Sequence, residues 1–194
     1  QNEIILKSSQ HESLIQLNLI KKDNVRLREI LNLQESSSSD AISAAVISRK
    51  TGSWWRQIIL NKGSKDGVEI GNIVLGPGGL LGRVKSTSFF TSSVILLNSP
   101  ESKVGVWVDR LQMSGLLIGS GDNYPTLILY SKDADIKVGD FISSSPASTL
   151  LPPNIPIGIV KSVDKPFKAK KTAKILLLAK PQVIDWVQIL RLKS

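Results

Sequence analysis

Three clusters in this 194-residue chain have residue types and spacings that could do chemistry. Ser162-Val163-Asp164-Lys165 fits the S-x-x-K pattern of penicillin-binding enzymes, and Lys171-Thr172-Ala173 comes near their K-T-G. That mechanism needs the serine at a helix start with its lysine one turn on, and Pro166 biases Lys165 away from helix. The two motifs also lie too close together to face each other across a cleft. Gly76-Pro77-Gly78-Gly79-Leu80-Leu81-Gly82 suggests a phosphate loop. Its spacing matches neither phosphate motif, and a strand pattern follows it where a helix N-terminus is required, so a tight hairpin is the better reading. Asp133, Asp135 and Asp140 could offer oxygens to a hard cation. They lack the glycine and terminal glutamate of a calcium loop, which favours solvated turn acids. No catalytic, metal or cofactor site is expected.

Charge gives a fourth candidate. The chain carries 25 Lys+Arg against 16 Asp+Glu, a net charge of +9. Lys161, Lys165, Lys168, Lys170, Lys171 and Lys174 fall within fourteen residues that contain Asp164 as their one acid. They form a candidate anion- or partner-binding patch, although a solvated loop tip is the plainer reading. Binding to nucleic acid would want arginine forks or stacking aromatics among these lysines, and Phe167 is the one ring present. The composition excludes more than it suggests. With no cysteine there is no disulfide, thiol nucleophile or thiolate metal site. A serine triad would have to use His11, the single histidine.

His11 belongs to a segment unlike the rest. Residues 1–35 contain no Gly or Pro, balance five basic against five acidic residues, and repeat apolar residues at helical spacing. With Leu17 at heptad position a, Leu17, Asn24 and Leu31 occupy a, while Ile20 and Leu27 occupy d. That stripe predicts a coiled-coil helix and a dimer seam, with Asn24 favouring a parallel pair; the alternative is a helix packed on its own domain. His11 falls at b, facing solvent. No apolar run approaches the roughly 20 residues needed to cross a bilayer.

Ser36 to Asp40 reads as a serine-rich hinge. Beyond it the period becomes strand-like, with twelve short strands near 44–49, 55–61, 73–76, 80–85, 93–98, 104–109, 113–119, 126–130, 140–144, 157–163, 174–179 and 186–192. No ten-residue helical pattern intervenes, so small antiparallel barrels fit better than a parallel sheet. The β region also overlays on itself in four ordered blocks. Residues 57–60 match 126–129, residues 68–74 match 136–142, residues 81–84 match 157–160, and residues 94–100 match 175–181. Two six-stranded barrels follow. The overlay is compatible with a simple tandem of 41–112 and 113–194.

The motifs together resemble a known family. Asp23-Asn24-Val25-Arg26-Leu27-Arg28-Glu29-Ile30-Leu31 looks like the end of the coiled coil in the rod shape-determining protein MreC family. Trp55, Ile58-Ile59-Leu60-Asn61-Lys62-Gly63, Asp66-Gly67-Val68, Gly79-Leu80-Leu81-Gly82-Arg83-Val84, Gly139-Asp140 and Ile155-Pro156-Ile157-Gly158-Ile159-Val160 resemble its β region in the same order. One departure is Ser143-Ser144-Ser145-Pro146, where the family often has Thr-Ser-Gly, so the loop from Ser143 to Asn154 should be built differently.

The resemblance implies a mainly β fold: an N-terminal coiled-coil helix, then two six-stranded antiparallel barrels like those of chymotrypsin without a catalytic triad. The last strand would return to the first barrel, giving 41–98 plus 182–194 to the first barrel and 99–181 to the second, with the simple tandem as the alternative. It further implies a non-enzymatic scaffold of lateral peptidoglycan synthesis that determines rod cell shape. Such a scaffold would be extracytoplasmic, in the periplasm, and held to the inner membrane by an anchor upstream of Gln1. Its implied partners are itself, as homodimer or filament, MreB, MreD, RodA and class B penicillin-binding transpeptidases. The competing function is a periplasmic adaptor of an efflux or secretion assembly, which would carry a second helix between its barrels. A barrel hydrolase would need a histidine in the β region, which has none.

Overall fold

The computed structural model describes residues 13–20, 22, 41–131, 133–148, 151–164 and 170–191, apart from 51–55. The chain divides into two compact units, Gln1–Ser39 and Asp40–Ser194. In the first, residues 13–20 and Lys22 are helical, and Leu17 and Ile20 on that helix are 54% and 64% exposed. Asn24, Leu27, Leu31 and the Ser36–Asp40 hinge lie outside the described residues.

The second unit consists of two closed antiparallel barrels of six strands each, as the strand spacing predicts. The strands are β1 (Ala41–Lys50), β2 (Gln57–Leu60), β3 (Ile73–Gly76), β4 (Gly79–Thr87), β5 (Ser92–Leu96), β6 (Lys103–Val108), β7 (Met113–Ile118), β8 (Thr126–Leu129), β9 (Phe141–Ser144), β10 (Pro156–Val163), β11 (Lys171–Leu177) and β12 (Trp186–Leu190). The first barrel runs β1-β12-β3-β4-β5-β2 and the second β10-β11-β8-β7-β6-β9. Alternation closes them: Val187 and Ile189 point inward from β12, while Trp186 and Gln188 point out. Closure leaves neither sheet with a free edge.

The barrels share more than their shape. Around each ring the order is equivalent, with β3, β4, β5, β2, β1 and β12 matching β9, β10, β11, β8, β7 and β6. The details repeat as well. Gly71 and Gly139 take φ of 93° and 95°, and their N–H groups donate to Val84 O and Val160 O, both at 2.9 Å. No side chain crowds either position, so it is the positive φ that calls for glycine there. Asn72 Oδ1 accepts the Glu69 N–H at 3.0 Å, and Asp140 Oδ2 accepts the Lys137 N–H at 2.8 Å. Gly82 and Gly158 each let a neighbouring strand carbonyl, of Ile95 and Leu176, approach too close for a Cβ.

One block of the sequence overlay is corrected. Leu60 pairs with Ser92 and Leu127 with Ala173, so Leu60 is equivalent to Leu127 rather than to Leu129. A two-residue shift keeps the same residues facing inward, so apolar alternation cannot detect it.

The barrels are joined by residues 97–102 and packed on each other. Ile73, Leu80 and Leu97 of the first belong to one apolar cluster with Val106, Leu127, Ile157 and Ile175 of the second. The Gly76–Gly79 run is a hairpin turn, and Gly78 and Gly79 abut the Leu178 and Pro156 carbonyls of the second barrel. Ser144 closes the loop that follows β9: its Oγ donates to Pro152 O at 2.5 Å and accepts the Ile155 N–H at 2.8 Å.

Candidate functional site

Two of the three acids of the candidate cation site, Asp135 and Asp140, prove to be parts of an ion-paired clamp. Arg110, in the turn after β6, donates Nε to Asp140 Oδ1 at 2.6 Å and Nη2 to Asp140 Oδ2 at 2.8 Å. The same Nη2 reaches the Asp135 carbonyl. Lys137 Nζ pairs with Asp135 Oδ2 at 2.9 Å. Asp133 carries no such pair among the described residues and lies at the turn. No group of three or more metal-ligating side chains occurs among the described residues. Sequence reasoning missed Arg110, which lies 30 residues from Asp140 and joins it only through the β6–β9 pairing.

The forked Arg110 bond holds the Asp140 carboxyl below its ordinary pKa; burial opposes this and the Lys137 N–H assists. Because the folded value is the lower one, this pair stabilises the fold above the unfolded pKa of about 4. The contribution is lost as pH falls through the folded value. Asp140→Asn should therefore flatten the acid side of the stability profile, read as urea midpoints between pH 6 and 3.

The described lysines of the candidate patch each have a partner within the chain. Lys161 Nζ stands 3.4 Å from the centre of the Tyr124 ring, and Lys170 Nζ 5.3 Å from that of Tyr130. Lys171 Nζ donates to Ala134 O at 2.7 Å. Lys174 Nζ donates to Thr126 Oγ1 at 3.0 Å and lies 3.8 Å from Asp122. Lys165 and Lys168 lie outside the described residues. Ser162 is on strand β10, with no helix start to support S-x-x-K chemistry, and neighbouring Asp164 accepts from Thr172 Oγ1 at 2.9 Å.

Two open grooves occupy equivalent places on the barrels. One of about 390 Å³ lies over β12 and β3 and is lined by Ser43, Leu75, Pro77, Trp186 and Gln188. The other, about 590 Å³, lies over β6 and β9 beside Trp107, Asp109, Phe141, Ser143 and Asn154. Trp186 is 64% exposed and Phe141 56%. With Asp109 the one ionisable group among these residues, and bonded to Ser143 Oγ at 2.6 Å, the surfaces suit neutral or apolar contacts more than acid–base work.

The family model for the barrel core of rod shape-determining protein MreC matches residues 46–191, three quarters of the chain and nearly all of both barrels. The chain belongs to the MreC family. The cell shape-determining protein MreC of Caulobacter vibrioides is 30% identical over 176 residues, 90% of this chain and 49% of that protein. The chain thus spans about half the length of the curated MreC relatives it matches. A solved MreC structure from Listeria monocytogenes superposes with a TM-score of 0.82 at 29% identity, covering 94% of this chain and 92% of that one. A Helicobacter pylori MreC, solved in complex with the penicillin-binding protein PBP2, shares the fold at a TM-score of 0.63 and 14% identity, over 79% of this chain and 98% of that one. Among the described residues no helix is long and apolar enough to cross a membrane.

Proposed function

We propose that this chain is the barrel-bearing part of a non-enzymatic, membrane-tethered scaffold that regulates lateral peptidoglycan synthesis and so determines rod shape. The observation that carries the reading is the MreC barrel-core match across 46–191, joined to a fold shared with an MreC solved in complex with a penicillin-binding protein. On this reading the barrels stand in the periplasm and the segment before them is the stalk. The scaffold links MreB and MreD on one side to class B transpeptidases and RodA on the other. The six residues between the barrels hold no helix, which favours the scaffold over a periplasmic adaptor. Lys161, Lys165, Lys168, Lys170, Lys171 and Lys174 are offered as a patch for an anionic partner surface.

The test is affinity purification of the full-length tagged protein from membranes. A class B transpeptidase should co-purify, and Lys165→Glu with Lys168→Glu should lower its yield. Recovery of the scaffold without any cell-wall synthase would overturn the reading. Self-association is expected through Leu17, Ile20, Asn24, Leu27 and Leu31. Leu27→Asp should weaken it while leaving the barrels folded, and an unchanged sedimentation profile would count against the seam.

A further inference from the structure

The first barrel borrows its last wall. Every strand of the second barrel comes from one continuous stretch, β6 to β11, whereas the first takes β1 to β5 and then β12, across 89 intervening residues. β12 fills the place that β6 fills in the second barrel, and it carries matching inward residues and the same terminal arginine. Val187-Gln188-Ile189-Leu190-Arg191 lies over Val106-Trp107-Val108-Asp109-Arg110. Both arginines reach carbonyls of the segment ahead of the paired glycines, one position apart in the overlay: Arg191 Nη2 that of Asp66 at 3.0 Å and Arg110 Nη2 that of Asp135.

The connection to β12 changes hands abruptly. Leu178 N–H donates to Ile157 O of the second barrel at 3.1 Å. From Pro181 onward the chain is gripped by the first barrel. Arg49 donates to Pro181 O at 3.2 Å, to Ile184 O at 2.6 Å and to Asp185 Oδ1 at 2.7 Å, and Ile184 packs where a Cβ at Gly76 would stand. Between the two holds lie Lys180, which is exposed, and Ala179, which is buried in the first barrel's apolar cluster. A short, proline-bounded hinge ahead of a self-contained strand is the arrangement from which identical chains exchange elements.

We propose that β12 is an exchangeable strand: the slot between β1 and β3 accepts residues 181–191 of a second copy, linking copies barrel to barrel. The occupant is fixed by the fit. The slot takes two inward apolar residues two positions apart, closes with hydrogen bonds along both edges, and ends on an arginine that caps the 64–67 turn. This link is separate from the stalk seam and does not rest on the synthase partners proposed above.

The chain has no cysteine, so introduced ones report cleanly. Ser43 and Gln188 are directly opposite on β1 and β12, both outward-facing, at a separation within reach of a disulfide. Full chains carrying Ser43→Cys and, with a different tag, Gln188→Cys are to be mixed and oxidised under mild conditions. Exchange predicts a hetero-tagged disulfide dimer. Its yield should be about tenfold that from a Lys103→Cys and Ile118→Cys mixture, which tests the contiguous β6–β7 pair in the same way, because docking raises the local concentration of the two thiols. Arg49→Ala, which frees the connection, should speed its appearance. Equal yields from the two mixtures would overturn the proposal. So would a Ser43→Cys, Gln188→Cys double variant that closes within one chain while the mixture gives no heterodimer.

Discussion

Ile189→Ala should destabilise the protein by about 3 kcal/mol, the cost of deleting a fully enclosed isoleucine, and the loss should fall first on the first barrel. Ile189 is 0% exposed. It is in register with Ile42 on β1 and Val74 on β3, so its side chain fills the seam that closes the ring. Ile189→Val should cost about 1 kcal/mol, which separates a packing effect from a broken hydrogen-bond ladder. Amide exchange is the direct readout. Protection should fall along β1, β3 and β12 while β6 to β11 keep theirs, because β12 pairs with β1 and β3 and the second barrel closes without it. Equal loss in both barrels would show that the shared cluster around Ile73, Leu80 and Leu97 makes them one cooperative unit.

Asp140→Ala should be of similar size in the second barrel, about 3 kcal/mol, and Asp140→Asn about 2 kcal/mol. The Asp140 side chain is 6% exposed, whereas that of Arg110 is 42% exposed. Removing the acid leaves a guanidinium that water can partly reclaim, which keeps the cost at the lower end for a broken buried pair. Asn retains an oxygen for the Lys137 N–H, as Asn72 does for Glu69 in the first barrel, and loses only the forked charge. Urea unfolding at pH 7 measures both values. The difference between wild type and Asp140→Asn should shrink as the pH approaches 3, since protonation removes the same charge.

The twelve strands were legible because each is an alternating run bounded by turn residues, and period 2 survives without knowledge of its neighbours. Register was less legible: blocks anchored by a glycine or proline, such as Gly71 with Gly139, Gly82 with Gly158 and Pro100 with Pro181, aligned correctly, while β2 against β8, with no such anchor, slipped by two. The seat of β12 had a signal that went unread, the V-x-[VI]-x-R shared by 106–110 and 187–191. Apolar alternation alone suits either barrel. The candidate clusters hid their partners for one reason. Asp140, Lys161 and Lys170 look like neighbours of other acids or lysines in the chain, but their partners Arg110, Tyr124 and Tyr130 are 30, 37 and 40 positions away. Sequence distance concealed them.

Ala41 and Leu190 are partners in register, so the two ends of the double-barrel unit lie side by side. Joining them and opening the chain within 97–102 would give a permuted protein that begins at β6 and runs through β12 into β1 to β5. In that order both barrels would be uninterrupted head-to-tail repeats. The present chain is one cut and one splice away from a plain gene duplication, and the permuted chain should fold with each barrel independent of the other's synthesis.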